Sequence, residues 1–208
     1  MQWYSRIVFV SMTVMVIALL FRQHTTFDTT GKVQVKNATE APNSNSTKAL
    51  SAEDLRIYGR LAAEMTFYHD LLRTSWDKLY HGTEVGATEP SASALVAAGL
   101  HFCTHLKTHH DIEEAYWFPE LGTKMEGFRP GHFASEQHKE MHRGLDVLRP
   151  YLEECRRGQR NLDRHEVHDI LDSFGVVLWQ HMDDEVRELS AENMVRYWSR
   201  EEMDRLLR

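Results

Sequence analysis

Three pairs of metal-binding side chains recur at a spacing of four in this chain: His109 with Glu113, His138 with His142, and His181 with Glu185. Residues i and i+4 of an α-helix lie one above the other on the same face, so each pair can offer two donor atoms to one point. His69, on an earlier helical stretch, adds a lone imidazole. Neutral imidazoles and carboxylates suit iron or manganese, and a carboxylate can bridge two cations while offsetting their charge. Five imidazoles and two carboxylates converging inside a helix bundle describe a two-metal site, with iron the best match. One such pair alone would mean little in a chain with 13 histidines. Three pairs on three successive helices, with a histidine on the remaining one, are hard to attribute to chance.

The register of the second helix leaves choices open. His101, His105, His109 and Glu113 form one stripe at i, i+4 spacing, so His105 can replace or supplement His109. His110 and Glu114 form a second pair turned about 100° away. His109 and Glu113 are preferred because they adjoin Ile112 and the Trp117-Phe118-Pro119 core segment. His101 and His105 then read as polar or supporting residues near the bundle end. His165 and His168 lie too many turns from His181 to join it and are expected to face solvent.

The elements that carry these residues follow from the apolar period. Leu55, Tyr58, Leu61, Met65, Tyr68, Leu72, Trp76 and Leu79 recur at intervals of three and four. They predict one amphipathic helix from the N-cap Ser51 to about His81. A second helix is expected from Ser91 or Ser93 to Phe118, because the residue before Pro119 avoids the helical region. A third runs from Phe133 or Ala134 to Arg157, and a fourth from near Asp163 to Glu188. Ser190 and the capping box Ser199-Arg200-Glu201-Glu202 open short carboxy-terminal pieces. No stretch alternates with period two. The fold class is therefore all-α, an antiparallel up-and-down four-helix bundle with short C-terminal helices. On this layout Cys103 and Cys155 sit at heights differing by about 10 Å, beyond the roughly 7 Å a disulfide tolerates, so two free thiols are expected.

The formal net charge is −7, with no basic stripe, which argues against a nucleic-acid partner. Residues Ile7 to Phe21 are apolar apart from Ser11 and Thr13, and Arg6 and Arg22 bracket them. No small-x-small cleavage site follows, so residues 1–22 read as an uncleaved transmembrane signal anchor rather than a removed signal peptide. Residues 23–50 are polar and read as a flexible stalk, with Asn37 and Asn45 as glycosylation candidates. The expectation is a single-pass membrane protein, tethered through residues 7–21, whose 51–208 domain faces the lumen or the exterior.

The run His109-His110-Asp111-Ile112-Glu113-Glu114 precedes Trp117-Phe118-Pro119, and His138-x-x-x-His142 and His181-Met182-Asp183-Asp184-Glu185-Val186 follow. Together they resemble the hemerythrin-like (HHE cation-binding) domain family. Leu178-Trp179-Gln180-His181 and Ala191-Glu192-Asn193-Met194 resemble its fungal members. The resemblance covers residues 51–208 and implies a non-haem di-iron centre with oxo or carboxylate bridging, manganese or zinc being alternatives. It implies His69, His109, Glu113, His138, His142, His181 and Glu185 as ligands. One departure stands out: oxygen-carrying members place an aspartate five residues after the last histidine, where this chain has Val186.

Two functional classes compete. A non-enzymatic module would bind iron and meet O₂, peroxide or NO as a sensor, buffer or carrier. A di-iron oxidase or peroxidase of the ferritin-like kind would use two Glu-x-x-His motifs, and no glutamate here has a histidine three residues on. The binding module is preferred. A third reading, an interaction domain with a structural metal such as zinc, is separable because zinc is colourless.

Overall fold

A computed structural model describes residues 49–206. Ser51 caps the first helix: its hydroxyl accepts from the Asp54 amide, and its own amide donates to the Asp54 carboxylate. The helix is not continuous to His81 as its period predicts. It divides into α1 (Ala52–Tyr58) and α2 (Arg60–His81) at Gly59. There the backbone is turned to φ −85°, ψ −1°. A Cβ on Gly59 would lie 2.6 Å from the Leu55 carbonyl oxygen, so a residue with a side chain would force a shift.

Ser91 caps α3 (Ala92–Ile112), which passes into a π-helical turn over Glu113–Trp117 and then α4 (Phe118–Leu121). Pro119 does not end the helix. It sits in the first turn of α4, directly after the π turn. Asp163 caps α6 (Arg164–Glu188), which follows α5 (Phe133–Arg156). Two short helices close the described chain, α7 (Ala191–Met194) and α8 (Arg200–Leu206).

The four long helices pack in a ring: α2 on α3, α3 on α5, α5 on α6, and α6 on α2. Their contacts run in opposite senses along each pair. Trp76 meets Phe102 while His69 meets His109. On the other side of the bundle, His138 meets His181 and Gly144 meets Phe174. Among the described residues all regular structure is helical.

The core has two apolar clusters. One contains Leu72, Trp76, Phe102, Leu106, Met141 and Leu178. The other contains Met65, Phe118, Phe128, Ala134, Leu189 and Trp198. On each long helix the boundary between them falls at a metal-binding side chain: His69 lies between Met65 and Leu72, and His138 between Ala134 and Met141. A polar layer thus crosses the middle of an apolar bundle. The C-terminal pieces shut the lower cluster. Lys124 lies 4.7 Å over the Trp198 ring and donates to both Glu202 oxygens at 2.7 Å, and Arg200 bonds Asp54 at 2.6 Å.

Cys103 and Cys155 are both free, and burial pushes the Cys103 thiol up to about 12. His165 is exposed, as expected, but His168 is not: its ring lies 4.4 Å from Tyr80 and its Nδ1 2.9 Å from the Thr83 hydroxyl. Among the described residues no helix is long and apolar enough to cross a membrane. That finding does not support the single-pass membrane protein expected above, and the expectation is corrected. The segment 1–22, most of the stalk, and Asn37 and Asn45 lie outside the described residues. At the stalk's end, Leu50 packs on the lower apolar cluster rather than extending freely.

Candidate metal centre

In the polar layer, donor atoms gather into two groups. One atom from each of His69, His109, Glu113 and Glu185 lies within 4.8 Å of the others, and the same holds for His110, Glu113, His138 and His181. Glu113 belongs to both. Its Oε1 is 3.0 Å from His109 Nε2, and its Oε2 is 3.4 Å from His138 Nε2. Glu185 Oε2 is 3.2 Å from His69 Nε2 and 3.7 Å from His181 Nε2. The two groups are therefore adjacent, spanned by two carboxylates.

The outward nitrogens of three imidazoles are held by acceptors. His69 Nδ1 lies 3.2 Å from the Met182 carbonyl oxygen, which can only accept. His138 Nδ1 lies 2.8 Å from Glu114 Oε1. His181 Nδ1 lies 3.1 Å from Gln137 Oε1, and the amide is oriented by donating its Nε2 proton to Asp184. Each Nδ1 therefore carries the proton, and each Nε2 turns a lone pair inward. Inside, lone pair meets lone pair: His138 Nε2 and His181 Nε2 stand 3.2 Å apart, and His69 Nε2 faces a carboxylate oxygen. Between His138 and His181, both held neutral by burial, there is no proton to share.

The Nε2 atoms of His69, His109 and His110 and all four oxygens of Glu113 and Glu185 are buried without a hydrogen-bond partner. Leaving one such group unpaired costs about 1–3 kcal/mol, and here seven atoms converge. A cation in each group would satisfy them together. Imidazole and carboxylate donors fit a first-row transition ion at about 2.0–2.2 Å.

The protonation states agree. Burial, reinforced by neighbouring histidines, drives His109 and His110 well below the usual imidazole range. Burial likewise brings His138 and His181 down to about 3. Burial, with Glu185 beside it, raises the Glu113 carboxyl well above its ordinary value. These four histidines are thus neutral and ready to donate, whereas Glu113 must lose a proton as a metal enters.

Six of the seven ligand positions expected from spacing meet in this layer: His69, His109, Glu113, His138, His181 and Glu185. His142 does not. It is half-buried behind His110, its Nε2 3.0 Å from His110 Nδ1. His110, which spacing had set aside, is fully buried and stacks on His138 at 3.8 Å between centroids. The reason is that α3 has two neighbours. His109 faces α2 and His110 faces α5, and a stripe about 100° wide admits both. The doublet His109-His110 was the available signal. His105 does not reach either group.

The π turn begins at Glu113, and the Phe118 amide donates to the Glu113 carbonyl five residues back. Such bulges often mark functional positions. Here Glu113 points into the layer while Glu114, half-exposed, still reaches around to His138. Glu114→Ala is expected to weaken the second group's metal affinity about 10–100-fold, the usual cost of losing the partner of a ligating histidine. Glu114→Gln should retain more of it, since the amide oxygen still accepts. Chelator competition measures both; equal affinity in Glu114→Ala would show that His138 is oriented by something else.

Fold and site together define a helix-bundle metal-binding protein. The chain matches the hemerythrin HHE cation binding domain over residues 60–191 and belongs to that family. It is similar to the dimeric xanthone biosynthesis cluster protein R11 of Cryptosporiopsis sp. (strain 8999), with 23% identity over 148 residues. That stretch covers 68% of this chain and 56% of the relative, so the chain spans little more than half of that protein's length. No solved structure matches the chain.

Proposed function

We propose that the layer holds two non-haem iron ions and offers them to a small ligand, O₂, peroxide or NO, as a sensor, buffer or carrier. The opposed, proton-free Nε2 lone pairs of His138 and His181 at 3.2 Å carry this reading. Glu113 and Glu185 would bridge the two ions. His69 and His109 would complete one ligand set, and His110, His138 and His181 the other. When bound, iron supplies a redox-active Lewis acid that a small molecule can ligate. The surroundings favour such a molecule: Phe118 stacks on His138 at 5.0 Å, and apolar clusters close the layer above and below. Larger polar substrates are disfavoured there. With few carboxylates and many imidazoles, the shell suits reversible ligation better than oxidase chemistry. Glu185 supplies the last carboxylate, while Val186 packs into the lower cluster.

The test is metal content and absorption of the protein reconstituted anaerobically with Fe(II), before and after air or NO. Two irons per chain and ferric charge-transfer bands after air are expected. One metal or none, or a spectrum unaltered by air and NO, overturns the reading. A di-iron oxidase is the second reading, favoured by the relative's name, which places that protein in a xanthone biosynthesis cluster. Sustained O₂ consumption with a reductant would select it.

A further inference from the structure

His101, His105 and His109 descend one face of α3 at successive turns, about 6 Å apart. Burial increases along them. His101 is exposed and His105 is half-buried, while His109 is 10% exposed. His109 is also the rim of its donor group, because His69, Glu113 and Glu185 are each 1% exposed. The stripe therefore runs from solvent to the most accessible ligand of the inner layer. The rings of His101 and His105 have centroids 5.8 Å apart, and His105 Nδ1 is shut from solvent without a hydrogen-bond partner. Two imidazoles at i and i+4 on one helical face are a bidentate chelate for a divalent transition ion.

We propose that His101 and His105 form a surface capture site for a divalent transition-metal ion and pass it to His109, and so into the inner layer. The proposal rests on the two-ion reading of that layer. Burial, aided by His101, keeps His105 below the usual imidazole range, so one ring nitrogen offers its lone pair at neutral pH. Transfer exchanges one neutral imidazole for another and leaves the ion's charge state unchanged. Direction comes from the carboxylates: the outer pair has none, whereas the inner group has Glu113 and Glu185. The outer pair holds the ion loosely and the inner group holds it tightly.

Metal-free full-length protein, mixed in a stopped-flow instrument with enough Co(II) to fill the inner layer, reports arrival there through ligand-field absorption. The His101→Ala/His105→Ala double variant should reach the wild-type final stoichiometry and spectrum. Its uptake should be slower by about tenfold or more, through loss of the local ion concentration that the outer pair provides. His105→Gln, which keeps a polar side chain at the position, should be slowed as well. Equal rates with full loading overturn the route and leave the two-ion reading intact. Loss of final stoichiometry in either folded variant also overturns it, because His105 would then be an inner ligand. A wild-type protein whose inner layer takes up no Co(II) overturns both.

Discussion

On the proposed two-iron reading, Glu113→Ala is expected to remove more metal than any other single substitution, taking the content from two ions per chain to one or none. Glu113 belongs to both donor groups and turns a different oxygen toward each, Oε1 toward His109 and Oε2 toward His138. Its removal deletes a ligand from each group and leaves both ions short of negative charge in a buried layer. His109→Ala and His181→Ala each touch one group and should cost one ion, and His142→Ala should cost none. His105→Ala should also retain both. Metal analysis after anaerobic Fe(II) loading and desalting measures the series. Two ions retained by Glu113→Ala would refute the shared-carboxylate arrangement, whatever the other variants show.

Removing metal from the loaded protein should lower its melting temperature by tens of degrees at most and several at least. An ion that binds only the folded chain stabilises it by about 4 kcal/mol when present at 1,000 times its Kd. For a domain of this size each kcal/mol shifts Tm by about 2–4 °C. Two ions therefore predict a shift of roughly 15–30 °C on these figures. The physical source is the layer itself: without cations its inward lone pairs oppose one another in the middle of the core.

The metal-free protein has its own pH signature. His138 and His181 are held at about 3 when folded, chiefly by burial, and titrate near 6.5 when unfolded. Below 6.5 the unfolded chain binds more protons, so metal-free stability falls as pH drops from about 6.5 toward 3. Loading weakens over the same range, because Glu113 must give up its proton to bind metal. Calorimetry with and without chelator, across pH, checks both; identical Tm values in the two states at neutral pH would show that no ion occupies the layer.

The helices and the polar layer were legible along the chain because both depend on short-range period. Four amphipathic stretches mark the ring-forming helices, and a four-residue spacing places two donors on one face without knowledge of any neighbour. Local chemistry also gave the caps: Ser51, Ser91 and Asp163 each accept from a first-turn amide. Where local rules failed, a contact or backbone feature outside their reach had decided. Gly59 reads as an ordinary member of a periodic helix, yet the chain turns there. Pro119 reads as a stop, yet the π turn before it shifts the hydrogen-bond register so that the helix resumes.

The donor set divides in the same way. Residue type and period determined that this chain carries a histidine-rich, carboxylate-poor layer on four helices, and so the class of metal it suits. They did not determine that both adjacent histidines face inward, or that His142 stands behind His110 and outside the donor groups. An i, i+4 pair defines one face of one helix, whereas a donor group forms where faces of several helices meet. The rotation of each helix about its axis is set by the apolar residues packed above and below the layer, and that packing exists only in the assembled bundle.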